Sequence, residues 1–290
     1  MRIGVVGAGM MGSEIAYVLA LGGHEVTLSD QTPERVAAAL AALEALAKKQ
    51  ADRGLRTLEA GREAISRIRQ AKLEDFGDRQ LVVEAIFENH AAKAEIYKRL
   101  DCVLAADAII TSNTSSISIT ALSGALPEAR RANFLGTHFF SPVSRMKLVE
   151  VISAIDSDPK IVDFVYALLD SAGQEPVRVK DVVGFAINRA LHAFFIEAIR
   201  LVEEGAISAE DMDRACKAGL GHPVGPFELM DATKNDLGLQ VQDILLENYG
   251  ERFRAPSMLR TLVSAGYNGR AAGRGWYRYR DGRRLLGGEK

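Results

Sequence analysis

Residues 1–30 read MRIGVVGAGMMGSEIAYVLALGGHEVTLSD, which combines two apolar strands, a glycine-rich turn and one helix. The apolar run at residues 3–6 predicts a buried strand, residues 10–21 have the apolar spacing of a helix, and residues 25–28 predict a second strand. Between the first strand and the helix, Gly7-Ala8-Gly9-Met10-Met11-Gly12 matches the GxGxxG pattern. This stretch therefore predicts a Rossmann-type unit that binds a dinucleotide.

Each glycine of this turn has a separate physical reason. Gly7 permits the tight turn, Gly9 lets the backbone approach a pyrophosphate, and Gly12 lets the helix pack close to the sheet. Asp30 ends the second strand, about 20 residues further on, where a carboxylate accepts hydrogen bonds from ribose hydroxyls and repels a 2′-phosphate. These features predict NAD rather than NADP, and the chain is short for a flavoenzyme. The alternative for Asp30 is a turn residue before Thr32-Pro33.

The first half of the chain continues to alternate strands with helices. Strands are predicted at Ile3–Val6, Glu25–Leu28, Leu81–Val83, Ala108–Ile110, Phe134–Phe140 and Lys147–Ile152. Helices are predicted at Met10–Leu21, Pro33–Lys49, Leu58–Arg69, Ala91–Leu100 and Pro159–Ala172. This alternation favours a largely parallel sheet that helices cover on both faces.

The pattern changes near residue 180, after which helical spacing dominates. Residues 185–249 carry apolar side chains every three or four positions, with a helix start at Ser208 and a glycine- and proline-rich break at residues 219–226. The fold class predicted is therefore α/β, a Rossmann-type, mostly parallel sheet domain followed by an all-helical C-terminal domain. The domains are predicted at residues 1–182 and 183–290.

Composition excludes several classes of function. The net charge of −2 has no strongly basic half behind it, which disfavours nucleic acid and anionic membranes as partners. Cys102 and Cys216 have no metal-like spacing with histidine, so we expect two reduced thiols and no metal site. No signal-peptide pattern follows Met1, and no apolar stretch is long enough to span a membrane. We therefore predict a cytoplasmic protein.

Two polar residues stand on strands that are otherwise apolar. Alternation places Leu148, Glu150 and Ile152 on one face of their strand, so the Glu150 carboxylate has apolar neighbours. Burying an unpaired carboxylate costs several kcal/mol. His138, on an equally apolar strand, is the nearest obvious partner. The residues alone leave open whether the two form a buried pair or are separate structural residues.

Several long motifs in this chain resemble the 3-hydroxyacyl-CoA dehydrogenase family. The segment His138-Phe-Phe-Ser-Pro-Val143, followed by Met146-Lys-Leu-Val-Glu-Val-Ile152, is similar to the family pattern H-F-F-[NS]-P-V…M-K-L-V-E-V-I. The resemblance extends over nearly the whole chain through Val83–Asn89, Ser112–Ser116, Gly184-Phe185 with Asn188-Arg189, Gly219–Pro226 and Gly273–Tyr277. It implies interconversion of 3-hydroxyacyl-CoA and 3-ketoacyl-CoA with NAD(H), in fatty-acid β-oxidation or butanoate-type metabolism.

The resemblance also implies roles for four catalytic residues. His138 would be the general base that takes the proton of the 3-hydroxyl, and Glu150 would hold its imidazole in the useful tautomer. Histidine suits this step because it gains and loses a proton near neutral pH. Ser115 and Asn188 match positions that contact the substrate oxygen or position the reacting groups. Their structural alternatives are a loop serine bonded to its own backbone and a residue of the first turn of a helix.

Further positions are implied for binding. Cofactor contacts of the family match Glu88, Lys93, Ser115 and Ser141. They also match Asp30 and the dinucleotide turn, which consists of Gly7, Ala8, Gly9, Met10, Met11 and Gly12. For Lys93 the alternative is a solvated helical face. The acyl-CoA site of the family matches Lys49 and Ser115. Lys49 stands where a helical arm of the family contacts the CoA phosphates. Glu84, on an apolar strand, needs a buried partner but receives no chemical role.

Departures from the family pattern bear on cofactor binding. Ser141 stands where single-function enzymes usually have asparagine, although multifunctional β-oxidation proteins resemble this chain in carrying serine. Ala271 replaces a lysine that approaches the cofactor, Trp276 replaces a phenylalanine, and Val183 replaces a proline. The changes at Ser141 and Ala271 are expected to lower NAD affinity or to alter cofactor preference. None removes the His–Glu pair.

Alternative functions remain at this point. One is a dehydrogenase of a free hydroxy acid, as in the gulonate dehydrogenase/λ-crystallin branch, although Phe139-Phe140 and Met146-Lys147 favour the CoA branch. Another is a non-catalytic NAD-binding dimer, which would not need Ser115, His138 and the other two catalytic candidates. Enzymes similar to 6-phosphogluconate dehydrogenase use a catalytic lysine instead. We expect a homodimer formed by the helical domain, short acyl chains as substrates, and a hinge at residues 182–184.

Overall fold

The computed structural model describes residues 1–285. The chain divides into two compact units, Met1–Phe185 and a second unit that begins at Ala186. Among the described residues, no helix has both the length and the apolar composition needed to cross a membrane.

The first unit is built on an eight-stranded sheet. Its strands are β1 (Arg2–Val6), β2 (Glu25–Ser29), β3 (Ile68–Gln70), β4 (Leu81–Glu84), β5 (Ile109–Ser112), β6 (Phe134–Phe139), β7 (Leu148–Ser153) and β8 (Glu175–Lys180). Their order across the sheet is β3-β2-β1-β4-β5-β6-β7-β8, and β6 with β7 is the one antiparallel pair in it. The predicted α/β class and largely parallel sheet are confirmed, and the carboxyl ends of β1, β2, β4 and β5 lie at one edge.

Helices cover both faces of this sheet. They are α1 (Met10–Leu21), α2 (Pro33–Asp52), α3 (Leu58–Ser66), α4 (His90–Val103), α5 (Ile119–Ser123), α6 (Glu128–Arg131) and α7 (Pro159–Ser171). On one face, Ile3 and Val5 of β1 share a core with side chains of α1, α2, α3 and α7. On the other face, Val6 shares a core with side chains of α4 and α5. Alternation along β1 therefore supplies both cores.

Two strands of this sheet were absent from the sequence prediction. The predicted helix Leu58–Arg69 is wrong at its end, because the helix stops at Ser66 and Arg69 lies in β3. Pairing with the sheet explains the change: the Val26 amide donates to the Arg67 carbonyl oxygen, and β3 runs parallel to β2. The other strand, β8, has the sequence EPVRVK and is an edge strand. Because its composition is partly polar, it has no apolar run that would have predicted a strand.

The second unit is mostly helical. It contains α8 (Ile187–Glu203), α9 (Ala209–Gly219), α10 (Pro226–Thr233), α11 (Asn235–Tyr249) and α12 (Ser257–Ser264). The predicted helix start at Ser208 is confirmed, since its hydroxyl accepts a hydrogen bond from the Asp211 amide. A hairpin of β9 (Tyr279–Arg280) and β10 (Arg283–Arg284) follows the helices, so this unit is not helical throughout.

Candidate active site

The glycine-rich turn joins β1 to α1 and leaves room for a ligand. Gly7 has φ +106°, and a Cβ on it would meet the Ala85 carbonyl oxygen at 2.6 Å. A Cβ on Gly12 would collide with the Gly7 carbonyl oxygen, so both glycines are required by packing. A Cβ on Gly9 would meet no atom within 4 Å. Gly9 therefore faces open space at the N-terminus of α1, a geometry that fits the pyrophosphate of a dinucleotide.

Asp30 lies directly after β2, beside this turn. One carboxylate oxygen accepts a hydrogen bond of 2.6 Å from the Ala8 amide, and the other accepts one of 2.7 Å from the Gln31 amide. The second oxygen also lies 3.4 Å from a guanidinium nitrogen of Arg35. Asp30 thus fixes the backbone of the turn and keeps further lone pairs for a ribose. The bond to the Ala8 amide reaches back to the glycine-rich turn, and the alternative of a turn residue before Thr32-Pro33 does not account for it.

A groove runs between the first turns of α1 and one side of α2. Its volume is about 510 Å³, and its lining includes Gly9, Met10, Glu14, Asp30 and Arg35. The Glu14 carboxylate also accepts a hydrogen bond of 2.7 Å from the Ser144 amide. This bond ties α1 to the loop between β6 and β7. The dinucleotide turn and that loop are therefore held in a fixed relation.

His138 and Glu150 form a pair across β6 and β7. They are opposite each other in the antiparallel register, and the distance from His138 Nδ1 to Glu150 Oε2 is 2.8 Å. Glu150 is fully buried and His138 nearly so. With the carboxylate as acceptor, Nδ1 donates and Nε2 is left as the basic nitrogen. The rings of Phe140 and Phe185 lie 4.5 Å and 5.6 Å from the imidazole, centroid to centroid, and give it an apolar surround.

Glu84 is the centre of a buried hydrogen-bond network at the carboxyl end of β4. Its carboxylate accepts from Lys93 Nζ at 2.7 Å, from the Tyr97 hydroxyl at 2.6 Å and from the Ser112 hydroxyl at 2.7 Å. Lys93 is fully buried, so the alternative of a solvated helical face is wrong. Burial, and then the nearby Glu84 charge, raise the pKa of Tyr97 well above its usual value, so its hydroxyl is a permanent donor. The network supplies the buried partner that the sequence required for Glu84.

Glu88 organises the serine- and threonine-rich loop that follows β5. Its Oε1 accepts hydrogen bonds from the Thr114 hydroxyl at 2.6 Å and from the amides of Ser115 and Ser116, each at 2.9 Å. Burial raises the pKa of Glu88, but these bonds and the charge of Lys93 outweigh it and lower the pKa below its usual value. The hydroxyl of Ser115 is 3.4 Å from the same oxygen, a weak contact that leaves it able to turn to another partner.

The remaining candidate residues occupy separate places. Lys49 is exposed in the last turn of α2, and Ser141 follows β6 and precedes Pro142 through a cis peptide bond. Asn188 is the second residue of α8, in the second unit. Ala271, in the same unit, is exposed in a short 3₁₀ turn.

A further departure from the family pattern, Trp276, is held inside the helical unit. Its indole nitrogen donates to Asn235 Oδ1 at 3.1 Å, and its ring lies 4.7 Å from that of Phe227. The larger ring therefore has a packing role within its own unit.

Sequence reasoning missed several residues that shape this region. Asn113 Oδ1 accepts a hydrogen bond of 2.9 Å from the Phe139 amide, next to His138. Thr114 and Ser116 bind Glu88 as described above. Asn113, Thr114 and Ser116 stand in a polar run directly after an apolar strand, and that position could have indicated them. Glu14 offered no such indication, because its partner Ser144 is 130 residues away in the chain.

Comparison with known proteins gives consistent matches over both units. A family model described as 3-hydroxyacyl-CoA dehydrogenase, NAD binding domain, matches residues 2–182, and one described as 3-hydroxyacyl-CoA dehydrogenase, C-terminal domain, matches residues 184–279. A probable 3-hydroxybutyryl-CoA dehydrogenase of Deinococcus radiodurans is 38% identical over 281 residues, which cover 96% of this chain and 100% of the relative. The human mitochondrial hydroxyacyl-coenzyme A dehydrogenase is 38% identical over 292 residues, which cover 96% of this chain and 91% of the relative.

Solved structures show the same likeness. The (S)-3-hydroxybutyryl-CoA dehydrogenase of Ralstonia eutropha superposes with a TM-score of 0.91 at 35% identity, and the match covers 97% of this chain and 99% of that chain. The likeness thus extends from the sequence to the strands and helices.

Proposed function

The chain belongs to the 3-hydroxyacyl-CoA dehydrogenase family, and we propose that it interconverts 3-hydroxybutyryl-CoA and acetoacetyl-CoA with NAD(H). The buried His138–Glu150 pair is the observation that carries the proposal, because it is the acid–base group that this oxidation requires. The choice of a short acyl chain is supported by relatives named 3-hydroxybutyryl-CoA dehydrogenase at 37–38% identity.

In the oxidation, His138 Nε2 takes the proton of the substrate's 3-hydroxyl. Bound NAD would supply the acceptor for the hydride at C3, so that the C3–O bond could become a carbonyl. The imidazolium that forms is stabilised by the Glu150 carboxylate, which holds Nδ1 at 2.8 Å and prevents the ring from turning. In the reduction, protonated His138 returns its proton to the oxygen.

The residues that would hold the cofactor are those of the dinucleotide turn and of the loops beside it. The turn from Gly7 to Gly12 would bind the pyrophosphate, and Asp30 the adenosine ribose. Glu88 and Lys93 would support the nicotinamide side, together with Ser115 and Ser141. Ser115 and Asn188 would also position the substrate oxygen. The ordered contacts of Glu88 support this proposal, since they fix the loop that carries Ser115.

An absorbance assay tests this function. Purified protein is mixed with NADH and acetoacetyl-CoA, and NADH absorbance is followed. Rapid loss of absorbance is expected with acetoacetyl-CoA and not with free acetoacetate. Tight NADH binding without turnover of the CoA ester would contradict the proposal and would favour another hydroxy-acid substrate or a non-catalytic role.

Lys49 offers a separate test of the CoA ester as substrate. Its ammonium is exposed at the end of α2, where it can meet the phosphates of CoA. We expect Lys49→Ala to raise KM for acetoacetyl-CoA and to leave Kd for NADH unchanged. Arg53→Ala, a nearby cation just after the same helix, is the matched control. Equal Michaelis constants for Lys49→Ala and the wild type would exclude a CoA contact.

We further propose that the protein is a cytoplasmic homodimer. The exposure of Leu220 (65%) and Leu237 (51%) on the helical unit supports an apolar interface with a second copy of the chain. Cys102 and Cys216 are free thiols, which suits a reducing compartment. Light scattering measures the mass of the protein in solution, and a monomeric mass would contradict the homodimer. Cell fractionation measures its location, and a secreted protein would contradict the cytoplasmic assignment.

A further inference from the structure

A cation stands beside the carboxylate that is proposed to bind the adenosine ribose. Arg35 lies in the first turn of α2, and its guanidinium is 3.4 Å from Asp30. The Arg35 side chain is 64% exposed, whereas the Asp30 side chain is 8% exposed. Arg35 also lines the groove that begins at Gly9. The guanidinium is therefore accessible to a ligand that reaches Asp30.

The charges here differ from those of a site with an aspartate alone. An isolated carboxylate rejects NADPH because it repels the 2′-phosphate, which takes the place of a hydroxyl hydrogen-bonded to that carboxylate. Arg35 offsets part of that negative charge, and its planar fork can bind phosphate oxygens. Glu34, the acidic residue of the same turn, is exposed.

We propose that Arg35 is a specificity-determining residue that weakens the rejection of a 2′-phosphate, so that the protein binds NADPH as well as NADH. The proposal rests on the NAD site described above and concerns its selectivity. A guanidinium that close to Asp30 can reach a phosphate attached to the ribose oxygen that Asp30 contacts. The same guanidinium gives NADH no charge-assisted contact, because NADH presents only a hydroxyl at that position.

Equilibrium binding tests the proposal without turnover. Kd for NADH and for NADPH is measured by the fluorescence of the reduced nicotinamide, in the wild type and in Arg35→Gln. We expect Arg35→Gln to raise Kd for NADPH about tenfold, the loss of one charge-assisted contact, and Kd for NADH by less than twofold. Arg62→Gln is the matched control, because Arg62 is also 64% exposed and lies 3.4 Å from its partner Glu44.

A second variant separates the possible outcomes. Asp30→Ser removes the repulsion and should favour NADPH over NADH, and the double variant with Arg35→Gln should lose that gain. Equal loss of both cofactors in Arg35→Gln would overturn the proposal, because it would place the guanidinium against the part they share. An unchanged ratio of the two dissociation constants would also overturn it. Failure of the wild type to bind either cofactor would instead contradict the proposed function.

Discussion

Replacing His138 with glutamine is expected to lower kcat for acetoacetyl-CoA reduction by about 10²- to 10⁴-fold, the usual contribution of a positioned acid–base group. Glutamine has a similar reach but cannot exchange a proton near neutral pH. The residual rate would come from orientation of the bound reactants by the rest of the site. Steady-state kinetics measures kcat, and NADH fluorescence measures binding.

The binding measurement makes this prediction specific to chemistry. Because His138 lies on β6 and the dinucleotide turn follows β1, Kd for NADH should stay within about twofold of the wild-type value. His24→Gln is a matched control, since His24 precedes β2 at the opposite edge of the sheet from the dinucleotide turn. Retention of more than a tenth of wild-type kcat by His138→Gln would contradict a role in proton transfer. A parallel loss of NADH affinity would indicate a structural defect instead.

Substitution of Glu150 separates orientation of the imidazole from proton transfer. Glu150→Gln keeps the shape of the side chain but removes the charge that stabilises an imidazolium. We expect a large loss of kcat, because the imidazolium that forms in the reaction would lose its counter-charge. A kcat equal to that of the wild type would show that the 2.8 Å contact has no part in the reaction.

The His138–Glu150 pair could be predicted from the residues only in part, because alternation along a strand is local and periodic whereas the register between strands is not. Alternation placed Glu150 among apolar neighbours, and burial of a carboxylate demands a partner. The identity of the partner depended on the register of the two strands, which decides which residue of one strand lies opposite Glu150 on the other. In the structure, His138 is directly opposite Glu150. A register shifted by one residue would have separated the two side chains onto opposite faces.

Burial of Lys93 could not be read in the same way. Lysine on a helix is usually solvated, and α4 has alanines, a glutamate and a second lysine beside it in the sequence. Its burial depends on Glu84, which β4 places under α4 only in the folded sheet. The sequence indicated that Glu84 needs a partner, but several cations lay within plausible reach. The proximity of Arg35 to Asp30 was missed for a related reason, since it depends on how the first turn of α2 is directed after β2.

Loss of the Glu84 carboxylate is expected to destabilise the protein more than any other single substitution discussed above. In Glu84→Ala, Lys93 Nζ would stay buried without its 2.7 Å partner, and the hydroxyls of Tyr97 and Ser112 would lose their acceptor. Breaking a buried ion pair from one side costs about 3–5 kcal/mol. For a unit of this size we expect the apparent Tm to fall by roughly 10 °C, measured by differential scanning calorimetry.

Two comparisons distinguish this cost from a general effect of losing an ion pair. Glu74→Ala removes a similar contact, 2.6 Å from Arg99, but both side chains of that pair are exposed. We expect it to change Tm little, because water replaces the lost partner. The double variant Glu84→Gln with Lys93→Met removes both buried charges and should recover part of the lost stability, since no buried cation is left without its nearest carboxylate. Equal Tm values for Glu84→Ala and Glu74→Ala would mean that the buried network is not held together by its ion pair.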